Sequence, residues 1–153
     1  MKWITRERPK IDRIACPWLI ARFIDDAPEF LFVPTDKVFE VAEREGAVAY
    51  DIPGASLSHV GEKCSFDAFI EAYALGDNAA LQQLALIVRG ADTNRLDLAQ
   101  QSSGLFAISL GLSAIFVDDH EMLKHGMTMY DALYAWCRSG QGETHNWPPV
   151  MSP

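Results

Sequence analysis

The sequence predicts an α/β (α+β) domain, with a small, mostly parallel β-sheet in the N-terminal third packed against a C-terminal helical layer. Three observations predict it. Up to Ile52, short β-prone runs alternate with helical patterns in β-α-β-α-β order, the signature of parallel strands joined by crossover helices. From Ser65 onward, apolar residues recur at helical spacing with no further strand signal. Finally, 153 residues at 49% apolar and 22% charged suffice for one compact core and exclude disorder, a coiled coil or a collagen-like repeat.

Each element has its local reason. Lys2–Thr5, with Trp3 and Ile4, is the first strand. A helix follows from Cys16-Pro17, because proline is welcome at the first helical position, and runs to about Phe23 or Asp25. Glu29–Val33 is the second strand, stopped by Pro34. Thr35 can cap a helix over Asp36–Glu45 that ends at Gly46. Ala47–Ile52 is the third strand, halted by Pro53-Gly54. Ser65 then caps a helix bearing Phe66, Phe69, Ile70 and Tyr73, and Asn78 caps one bearing Leu81, Leu84, Ala85 and Val88. Gly104–Val117 is apolar but too short for a membrane span, so it reads as a buried core helix; Gly104, Ala107, Gly111 and Ala114 give it a stripe of small residues. The last helix begins at Asp118-Asp119 with Leu123, Met127, Tyr130, Tyr134 and Cys137 on one side. Residues 1–138 form the expected single domain and 139–153 a loosely ordered tail.

Charge and cysteine usage narrow the function classes. Thirteen basic against twenty-one acidic residues give −8, which argues against direct nucleic-acid binding. Residues 1–22 nevertheless hold six basic groups against Glu7 and Asp12, a local surplus suited to an anionic ligand, an acidic partner or the chain's own acidic surface. Three cysteines without a CxxC pair are no disulfide framework, and the N-terminus has no signal-peptide pattern. A cytoplasmic protein with free thiols and no membrane segment is the expectation.

In open α/β sheets, ligands sit beyond the carboxyl ends of the strands. That rule puts the basic loop with Asp12, Arg13 and Cys16 on one rim with the loop carrying Asp51, Ser58, His59 and Cys64. Cys16 is a candidate catalytic thiol if it caps the helix at Pro17, where the helix end and Arg13 favour thiolate. Arg13 with the helix end at Pro17 is a candidate anion-binding residue, and so is Arg22, since Cys16 through Arg22 satisfies C-x5-R. The bulky Trp18, Leu19 and Ile20 inside the motif fit a plain buried cysteine instead. His59 and His120 are candidate metal ligands, with Asp92, Asp119 or Glu121 adding oxygen. A His/His/carboxylate set suits iron, manganese or zinc. The competing reading makes Asp118 or Asp119 a helix cap and His120 a surface residue. Asp131 reads as a satisfied hydrogen-bond acceptor, and Trp136 and Cys137 as core.

Several long segments together carry a resemblance: Pro9 through Ile20, Asp51-Ile52-Pro53-Gly54 with Ser58-His59 and Cys64-Ser65-Phe66-Asp67, Ile87 through Thr93, and Asp118-Asp119-His120 leading into Tyr130 through Cys137. They resemble the C-terminal domain family of the chromate resistance protein ChrB, from about Lys2 to Arg138. The resemblance implies a bacterial protein linked to chromate resistance. Larger relatives act as chromate-responsive regulators with an additional N-terminal region, to which DNA binding is assigned, and others carry a rhodanese-like module. This chain starts at the shared domain, so no repressor role is expected of it. The expected function is a metal- and/or oxyanion-binding domain. A small metal- or thiol-dependent enzyme is the alternative, as is a non-catalytic interaction module that forms a homo-oligomer through the small-residue helix.

Overall fold

The computed structural model describes residues 1–145. Three parallel strands, β1 (Lys2–Arg6), β2 (Glu29–Val33) and β3 (Val48–Ala49), form a sheet in the order β2-β1-β3. β1 is central, with Trp3 opposite Phe30 on one side and Val48 on the other. Its successive side chains point to opposite faces, so both faces are covered. Trp3 enters the main core with the helices, whereas Ile4 packs with Val38 and Ile52 under α2 (Val38–Glu45). The expected helix at Asp36 begins instead as a 3-10 turn over Thr35–Lys37, and Gly46 closes α2 in the left-handed conformation, as a C-terminal glycine should.

Two further boundary differences from the sequence expectation shape the rim. Helix α1 (Asp12–Leu19) starts four residues before Cys16, with Pro17 inside it, and runs on as a wide π-type turn over Ile20–Ile24. Packing overrides the cost of an internal proline, because every α1 residue except Arg13 is buried. The third strand is cut to two residues. Tyr50 still bridges to Leu57, but Asp51 takes a left-handed φ of 48° that turns the chain out of the sheet.

The helical layer comprises α3 (Ser65–Ala72), α4 (Ala79–Asp92), α5 (Ser102–Ile115) and α6 (Asp119–Ala135), the last continuing as a π-type turn to Gly140. Cys64 rather than Ser65 occupies the cap of α3, while Asn78 caps α4 as expected, accepting from the Leu81 amide at 3.1 Å. Gly126 lets α6 lie directly on Ile14 of α1. α5 is not a buried core helix. Ser102, Leu105, Ser109 and Ser113 face inward, and Gly104, Ala107, Ile108, Leu110, Gly111, Ala114 and Ile115 face outward. No helix is long and apolar enough to cross a membrane among the described residues. Of the expected tail, Gly140 is buried and His145 exposed, and 146–153 lie outside the described residues.

Candidate metal centre

Three aspartates from separate elements converge on one imidazole. Asp12 comes from the first turn of α1, Asp51 from the turn ending β3, and Asp92 from the last position of α4. His59, on the loop after β3, places Nε2 3.1 Å from Asp12 Oδ2, 3.2 Å from Asp51 Oδ1 and 3.1 Å from Asp92 Oδ2. The side chains of Asp12 and Asp51 are 3% and 4% exposed, that of Asp92 13%, and His59 is 42% exposed on the open side. A single N–H has one proton and cannot satisfy three carboxylates at once. Asp12, His59 and Asp92 offer ligand atoms all within 4.8 Å of one another, the one such group of three among the described residues.

The surroundings hold these groups in place. Asp12 Oδ2 also accepts from the Ser65 amide at 3.2 Å. Asp51 accepts from the Ser65 hydroxyl at 2.7 Å on one oxygen and from Arg6 at 2.8 Å on the other, where Arg13 approaches to 3.3 Å. Burial, with Asp12 beside it, pushes the Asp92 carboxyl up to about 8. Asp51 is raised for the same two reasons. The hydrogen bond to Asp12 leads in raising His59 to about 9, against its own desolvation. Asp92 further stands where the carbonyl end of α4 disfavours negative charge. Two backbone strains flank the cluster: Ile11, a β-branched residue, sits at φ 47° just before Asp12, and Asp51 at 48°. A cavity of about 360 Å³ opens over the site, lined among others by Lys10, Arg6, Ser58 and Pro53.

The structure brings His59 and Asp92 together as the sequence reading expected, but separates them from Asp119 and His120. Asp119 accepts from the Arg8 amide at 2.9 Å and pairs with its guanidinium. Asp118 caps α6, accepting from the Glu121 amide at 2.8 Å, and the exposed His120 ring packs edge-on against Phe32. His125 stacks on Phe116 at 4.4 Å. Both candidate anion-binding arginines have partners within the fold. Arg13 is spent on Asp51 and on the carbonyls of Arg6 and Glu7, while Arg22 pairs with Asp131, which also accepts from Trp18. Cys16 lies in the second turn of α1, fully buried. It has no helix end to favour thiolate, and burial near Asp12 pushes its thiol well above the usual range. The carboxylates outside the expected metal set, Asp12 and Asp51, both follow strand ends, so the rim rule was the signal that held them.

A family model described as the ChrB C-terminal domain matches residues 3–137. Protein ChrB of Cupriavidus metallidurans is 29% identical over 133 residues, which is 87% of this chain and 40% of that protein, so the chain spans less than half of its relative's length. No solved structure matches. The matched span runs from β1 to the end of the helical layer and takes in Asp12, Asp51, His59 and Asp92, and the chain belongs to the ChrB C-terminal domain family.

Proposed function

We propose that this chain is a divalent-metal-binding domain associated with chromate resistance, with Asp12, His59 and Asp92 as the ligands and Asp51 beside them. The observation that carries the reading is the convergence of three carboxylates, two buried and one partly buried, on one imidazole nitrogen. Buried carboxylates at such separations repel one another and lose hydration, and a bound divalent cation offsets both costs. Strained backbone at Ile11 and Asp51 accords with a site kept for function at the expense of stability. One nitrogen and two or three oxygens form a hard donor set, which favours manganese or iron over zinc. Ser65, Arg6 and Arg13 orient the carboxylates from behind. The half-exposed side at His59, flanked by Lys10, leaves room for a small oxyanion to complete the coordination.

Elemental analysis of the purified, untagged protein beside His59→Ala and Asp12→Asn tests the reading. Near-stoichiometric metal in the parent, taken up directly or on reconstitution with iron, manganese or zinc, and absent from both folded variants, is the expected result. A parent that stays metal-free after reconstitution overturns it.

A further inference from the structure

Helix α5 has its apolar side outward. Three of its four buried residues are serines, whereas Ile108 is 54% exposed, Leu110 38% and Ile115 71%. On a helical wheel the outward residues form one continuous arc. Its middle is a trough of Gly104, Ala107, Gly111 and Ala114, with Leu110 on one edge and Ile108 and Ile115 on the other. Nothing lies within 4 Å of where a side chain would begin at Gly104 or Gly111, so no other part of the described chain fills the trough. From Leu98 to Val117, twenty residues carry no ionisable side chain in a protein of net charge −8. Patches of this kind mark interaction sites in soluble proteins.

We infer that this face pairs with the same face of a second copy, the two α5 helices crossing antiparallel about a two-fold axis at the level of Ser109. Three features select a second copy over another occupant. First, the small residues are spaced three, four and three apart, a palindrome. An antiparallel two-fold therefore sets Gly104 against the partner's Ala114 and Ala107 against the partner's Gly111, and small faces small along the whole crossing. Second, the same symmetry keeps the isoleucine edges of the two helices side by side. It brings Ile115 of one copy to the Gly104 end of the other, where an apolar groove of about 380 Å³ runs between α5 and α6, lined by Gly104, Ile108, Met129, Leu133 and Trp136. Knob and hole thus meet twice in one dimer. Third, two copies of an acidic protein repel one another, and this uncharged stretch lets them approach with the least repulsion.

The oligomeric state of the full chain decides the matter. Sedimentation equilibrium of the parent should give twice the monomer mass. Ala107→Glu and Ile115→Glu should each give monomers with an unchanged helical circular-dichroism signal, because both positions are exposed. Gly104→Cys and Ala114→Cys proteins, oxidised as a mixture, should form a crosslinked dimer more readily than either alone, since Cys16, Cys64 and Cys137 are buried. A parent that sediments as a monomer at every accessible concentration overturns the inference. So does a dimer that survives Ala107→Glu, or a monomeric parent that instead binds phospholipid vesicles.

Discussion

The strand-end rim and helix α5 reverse the usual distribution of polar and apolar groups in opposite directions. The rim gathers two buried carboxylates and a partly buried one around one imidazole, and α5 buries serines while exposing isoleucine and leucine. Buried charge and exposed apolar surface are the informative departures from ordinary packing, because each costs stability that some other contact must offset. At the rim the offsetting partner we propose is a cation, and at α5 the one we infer is a second apolar face. The frame between them obeys the ordinary rules: Trp3, Trp18, Phe66, Phe69, Leu81 and Leu84 are fully buried.

The contrast can be strained at its points of closest packing. Gly126 on α6 touches Ile14 of α1, the helix that begins with Asp12, so Gly126→Val overpacks that contact. We expect a loss of about 1–3 kcal/mol in urea unfolding, with weakened metal uptake as α1 shifts. Unchanged stability and uptake would show that the α1–α6 contact does not frame the rim.

Asp92→Asn sharpens the rim side of the comparison. It removes the partly buried member of three crowded carboxylates, so the metal-free protein should gain about 1–2 kcal/mol while metal binding falls sharply. Thermal unfolding with and without chelator reads both effects. A metal-free variant less stable than the parent would mean that the carboxylate serves the fold rather than a cation.

The smallest change comes from the other region. Gly111 lies on an open helical face, so Gly111→Ala should stabilise the monomer by up to about 1 kcal/mol through helix propensity alone. Dilute thermal unfolding checks it, and a loss of stability there would mean that Gly111 is packed more closely than its open surroundings indicate.

Much of this molecule was legible locally. Alternation of β-prone and helical runs placed β1 and β2 nearly to the residue, and the side chain of Asn78 announced α4. The rim rule put Asp12, Asp51 and His59 on one edge, because chain direction in a parallel sheet determines where loops emerge. Local chemistry could not say that α1 begins at Asp12, since the packing that tolerates Pro17 inside the helix belongs to α3 and α6. That shift moved Cys16 from a helix end into the core and the carboxylate of Asp12 onto the imidazole. Nor could an apolar run show which way it faces: Gly104–Val117 would read the same buried or exposed. Residue type and spacing depend on neighbours along the chain, and they determined the elements and the family. The choice of His59 with Asp12 and Asp92 over His120, and the outward turn of α5, were decided only by tertiary structure, because they depend on which side chains meet across 33 to 80 residues of chain.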